Sequence, residues 1–161
     1  MATLTQTFAR KLEHTYWMTA LYAALVAGAT FLVLQMLIAG LLQGYDPFLP
    51  LRMIAAIALG PGVLWEGVAP FTVLVVAFVL HFCLSAMTAW IVAPVVQDMS
   101  PARAVLTGAI AGLVIYVVNF YLLSRGFTWF QGIRGWPTLA NHLIFGAVLA
   151  RTYQNRRRHL A

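Results

Sequence analysis

Charged side chains are confined to short segments of this chain, and four long apolar stretches run between them. No Asp, Glu, Lys or Arg occurs between Glu13 and Asp46, between Glu66 and Asp98, between Arg103 and Arg125, or between Arg134 and Arg151. A helix needs roughly 20 apolar residues to cross a hydrocarbon core about 30 Å thick. The chain therefore reads as an all-α membrane protein, a four-helix transmembrane bundle with spans at about 16–43, 71–94, 102–124 and 136–153. Hydrophobic residues make up 62% and charged residues 9%, whereas a soluble domain carries about a quarter charged residues. Four spans use most of the 161 residues, so one transmembrane domain is expected. The first apolar run is longer than the roughly 7–15 residues of a signal-peptide core, so it reads as a retained span.

The connection between spans one and two is long and apolar. Pro50 suits the first position of a short helix at about 50–59, and Gly60-Pro61-Gly62 ends it. Ten residues of helix cover only about 15 Å, half a crossing. This helix is expected to be interfacial or re-entrant, with Arg52 and Glu66 at headgroup level. Ser100-Pro101 gives a helix start for span three.

The distribution of positive charge orients the bundle. Arg10, Lys11, Arg103, Arg151, Arg156, Arg157 and Arg158 lie on one side, and Arg52, Arg125 and Arg134 on the other. The positive-inside rule then places both termini in the cytoplasm of a bacterial inner membrane. Arg151, Arg156, Arg157 and Arg158 read as contacts to lipid headgroups, and nucleic acid is not the expected partner despite the net charge of +6. Cys83, the single cysteine, has no internal disulfide partner and is expected to be a small buried apolar residue.

Small residues recur at intervals of four: Ala20, Ala24 and Gly28 in span one, Ala104, Gly108 and Gly112 in span three, Gly146 and Ala150 in span four. Such rows let helix backbones approach closely, and they are expected to be packing seams of the bundle or of a homo-oligomer. The polar residues inside the spans form a second pattern. Gln35, His81, Ser85, Asn119, Asn141 and His142 are expected to converge in the outer half of the bundle, as a ligand-binding or structural polar cluster. Two imidazoles on different helices can in principle ligate haem b. No carboxylate or thiolate neighbours both, so no other metal site is expected, and no cofactor is assigned. Ser85 follows His81 by one turn, but no glycine-rich nucleophile turn or His-Glu-x-x-His motif accompanies it, so no catalytic residue is assigned.

Two stretches resemble known sequences. The run from Arg52 to Leu64 and the stretch Asn141-His142-Leu143-Ile144-Phe145-Gly146 resemble segments of an uncharacterised family of small four-helix bacterial inner-membrane proteins, some labelled sodium:proline symporter. His81 in an apolar second span and Asn119-Phe120-Tyr121 in the third fit the same pattern. The resemblance implies the four-span fold and the His81/Asn119/His142 cluster, and no established activity. Small four-span multidrug exporters are similar in size, but they use a glutamate in the first helix where this chain has only Gln35. Two functions follow as expectations. The first is a non-enzymatic accessory or assembly subunit of a larger inner-membrane complex, respiratory or photosynthetic, with lipids and other subunits as partners. The second is a small transporter or ligand- or haem-binding protein that uses the polar pocket.

Overall fold

The structure, a computed structural model, describes residues 4–65 and 70–160, with side chains described from 16 to 159 outside that gap. Glu66, expected at headgroup level, lies outside the described residues. Among the described residues all regular structure is helical. Helix α1 (Leu4–Leu37) runs into a π turn at Ile38–Leu42, and α2 (Leu49–Leu59) follows. Helix α3 (Pro70–Val96) and α4 (Pro101–Val117) come next, α4 also ending in a π turn at Val118–Leu122. Two 3₁₀ turns, Leu123–Arg125 and Thr128–Ile133, lead to α5 (Trp136–Leu160).

Three segments are long and apolar enough to cross a membrane: Tyr16–Leu42, Pro70–Val96 and Pro101–Arg125. They coincide with the first three expected spans to within two residues at every end, the largest difference being at span two, which continues past Pro94 to Val96. Helix α5 is less apolar, and its position explains why. It lies between α4 and α1 and packs along both, while α3 packs on α1 and α2 and barely touches α4 or α5. From Pro137 to Ala150 only Ile144 is exposed. A helix shielded by protein does not need the uniform hydrophobicity that a lipid-facing one does. Thr138, Asn141, His142 and Gln154 of α5 are all buried.

The seams of small residues are used within the chain. A Cβ placed on Gly108 would strike the Gly146 carbonyl, one on Gly146 the Gly108 carbonyl, and one on Gly112 the His142 carbonyl. At Gly28 the neighbours are side chains, Ser85 Oγ at 2.9 Å and the Phe82 ring at 3.0 Å. Ala20, Ala24, Ala104 and Ala150 belong to the same buried cluster as Leu149 and Tyr153. Cys83 departs from expectation: it is exposed on the outside of α3, where hydrocarbon solvates a thiol as readily as a protein core would.

At the terminal end of the bundle, Tyr16 packs edge-on against Tyr153 at 6.0 Å. Gln154 Nε2 donates to the Val96 and Met99 carbonyls, both at 2.8 Å, and so caps the last turn of α3. Gln154→Leu leaves both carbonyls without that donor and should cost about 1–3 kcal/mol. Unfolding in detergent, followed by circular dichroism, checks the value; a change below about 0.3 kcal/mol would mean water already serves the turn. The arginines divide. Arg157 pairs with Asp98 at 3.2 Å and Arg156 lies over the Tyr22 ring at 4.5 Å, so both are engaged by the bundle itself. Arg151 and Arg158 are exposed.

Candidate functional site: a cavity under helix α2

Helix α2 closes the opposite end. Pro50, Leu51, Met53, Ala55 and Ala56 are buried, and Gly60 ends the helix with φ +83°, a conformation side-chain-bearing residues rarely adopt. Arg52 and Asp46 pair at 3.4 Å beside its start. The aromatic loop after α4 is tied to it: Trp129 Nε1 donates to the Met53 carbonyl at 3.1 Å. Beneath α2 and this loop lies a cavity of about 250 Å³.

Its walls come from every helix. Phe31 and Gln35 of α1, His81, Ser85 and Thr88 of α3, Asn119 and Phe120 near the end of α4, and Thr138 and His142 of α5 all line it. Of the six expected cluster residues, the structure brings five to the cavity: Gln35, His81, Ser85, Asn119 and His142. Asn141 stands behind the wall instead. Its Nδ2 donates to Gln35 Oε1 at 2.9 Å and to the Phe31 carbonyl at 3.1 Å, and so fixes α1 against α5. The reason is angular: Asn141 and His142 are adjacent, and adjacent helical residues diverge by about 100°.

Both imidazoles are held by backbone carbonyls. His81 Nε2 donates to the Gly28 carbonyl at 2.9 Å, and His142 Nδ1 donates to the Thr138 carbonyl at 2.8 Å. A carbonyl only accepts, so each of these nitrogens carries a hydrogen. In the neutral rings the second nitrogens, His81 Nδ1 and His142 Nε2, are acceptors, and neither makes a hydrogen bond among the described residues. Gly28 eases the first contact, since a Cβ there would crowd Ser85 Oγ and the Phe82 ring of α3. Ser85 makes no hydrogen bond with His81 among the described residues, whose Nε2 is engaged by α1.

Phe31 organises the site and was not singled out from the sequence. Its ring stacks on His81 at 5.6 Å and meets His142 edge-on at 4.8 Å. Tyr116 and Phe120 pack against His142 from α4, at 5.5 and 5.7 Å. Thr138 both lines the cavity and supplies the carbonyl that holds His142. The π turn at Val118–Leu122 carries Asn119 and Phe120 into the wall. Such turns are frequent at functional sites, and nothing in local composition marks this one.

Haem b does not fit this arrangement. Phe31 packs on both imidazoles that would have to face one macrocycle. A single aromatic ring fits easily: an apolar cavity of about 150 Å³ holds benzene. Comparison with protein families, with curated proteins and with solved structures gives no match.

Proposed function

We propose that this protein binds a small, largely apolar molecule in the cavity under α2, without catalysing its conversion. The observation that carries this is the convergence of His81 and His142, from different helices, on one mostly apolar cavity where each keeps an unused ring nitrogen. Structural histidines in membranes usually spend their polar atoms on other helices. Here half of that capacity is left over. In this proposal α5 is a fourth span, shielded from lipid by α1 and α4, and α2 lies at the outer interface. Both termini are cytoplasmic in a bacterial inner membrane, as the arginine distribution favours. The resemblance to small four-helix inner-membrane proteins belongs to the same proposal.

Native mass spectrometry and organic extraction of the protein, purified in mild detergent from its own membranes, test it. A stoichiometric small molecule is expected, absent from an Ile57→Trp variant in which the larger side chain fills the cavity from α2. Equal recovery from both proteins would place the molecule elsewhere.

A second reading, an accessory or assembly subunit of a larger membrane complex, is favoured by exposed aromatics at the α2 end of the bundle. Phe48, Trp65, Phe71 and Trp136 are all exposed there, at helix ends, with Trp65 and Phe71 each 77% accessible. Tagged protein drawn from membranes would then carry a partner in fixed ratio, and Trp65→Ser with Trp136→Ser would release it.

A further inference from the structure

The cavity is not sealed, and its opening faces sideways. Leu84 lies near the midpoint of α3 and lines the cavity, yet it is 52% exposed. Leu123 lines it from the end of α4 and is 46% exposed. These two helices barely touch, so the gap between them leads from the cavity to the outer flank of the bundle. At the depth of Leu84, midway along the Pro70–Val96 segment, that flank meets hydrocarbon. A molecule reaching the cavity this way arrives dissolved in the bilayer, and it is therefore uncharged and lipophilic.

The polar atoms inside define its headgroup. His81 Nδ1 and His142 Nε2 are acceptors without hydrogen-bond partners among the described residues. Gln35, 3% exposed, also lines the cavity, and its Nε2 is a buried donor without a partner. A ketone or quinone carbonyl would answer Gln35 and leave both imidazole acceptors unmet. An ammonium group would answer the imidazoles but set a cation beside an amide donor, with no carboxylate among the described lining residues to balance it. A hydroxyl donates once and accepts twice, and is the group that serves both kinds of partner. Phe31, Phe120, Phe130 and Phe145 surround this polar set with ring faces and edges.

From this geometry we infer that the ligand is a hydroxylated aromatic lipophile of phenol type, taken laterally from the bilayer, with its hydroxyl donating to one of the two imidazoles and accepting from Gln35 Nε2. The inference rests on the proposed binding function and narrows it to one chemical class.

A matched pair of probes tests it on the unaltered protein. 4-Fluorophenol and 4-fluoroanisole differ by one methyl group that removes the hydroxyl donor, and ¹⁹F NMR of protein in lipid nanodiscs separates saturable binding from linear partition. 4-Fluorophenol should bind saturably, with 4-fluoroanisole weaker by about fivefold or more, the factor for one lost hydrogen bond. His81→Phe with His142→Phe should bring the two probes within twofold of one another. Equal affinities in the unaltered protein, with both probes lost in Ile57→Trp, would overturn the hydroxyl assignment while the cavity remained the binding site. Absence of any saturable signal from either probe would overturn both. A phenol preference that survives Ile57→Trp would locate the hydroxyl-selective site elsewhere and overturn the inference alone.

Discussion

Gly146→Ala should destabilise the bundle by about 3 kcal/mol, the upper part of the range for an overpacked core. Two effects oppose one another. Alanine in a helix interior gains up to about 1 kcal/mol over glycine. Against that, the new methyl would run into the Gly108 carbonyl and crowd the Gly112 nitrogen. Backbone atoms have no rotamer to retreat into, so α4 and α5 must separate along their most extensive contact. Gly112→Ala meets the His142 carbonyl in the same way, and it should shift the imidazole as well. Gly28→Ala meets side chains, which can turn aside, and should cost about 1 kcal/mol. Gly132→Ala is the control. A Cβ there touches nothing within 4 Å, and its effect should stay within about 0.5 kcal/mol. Reversible unfolding in mixed micelles, titrated with a denaturing detergent, gives the four values. A Gly146→Ala protein as stable as Gly132→Ala would show that the two helices do not meet at these glycines.

The second large effect is expected at Phe31. Phe31→Ala removes ring contacts to His81, His142 and Phe145 at once. In a water-soluble core such a change costs about 3–5 kcal/mol. Part of that is transfer out of water, which is missing when the unfolded helices still lie in hydrocarbon. The packing part remains, at about 0.5–1.5 kcal/mol for each aromatic pair, so a loss of about 2–3 kcal/mol is expected. The same deletion enlarges the cavity and frees both imidazoles to rotate. Affinity for a single-ring probe should fall about tenfold and affinity for a two-ring phenol should rise. Both are measurable by ¹⁹F NMR with fluorinated probes. If single-ring affinity is unchanged, Phe31 does not position the histidines.

The contrast between these sites and the spans shows which features a linear pattern can carry. The first three spans were legible because the bilayer imposes a length and excludes charge, and both conditions are visible in any window of the chain. Helix α2 was equally legible, from Pro50 at its start and Gly60 at its end. The polar residues of α5 announced themselves by their rarity, and five of the six expected cluster residues do line one cavity. Facing was not legible. Lipid is as apolar as a protein interior, so no hydrophobic stripe marks the inner side of a span. Cys83 could be read as buried and yet faces outward for that reason.

The sequence alone thus determined which three segments are long and apolar enough to cross hydrocarbon, where the chain breaks, and which rare polar and small residues stand out. Tertiary structure decided which of them meet. Gly108 and Gly112 close on α5, Asn141 turns behind the wall to hold Gln35, and Phe31 sets both imidazoles. These outcomes depend on the rotation of each helix about its axis. That angle is fixed by backbone contacts and hydrogen bonds between segments some 30 to 110 residues apart, from Gly112–His142 to the Asn141–Phe31 bond, and not by any local preference.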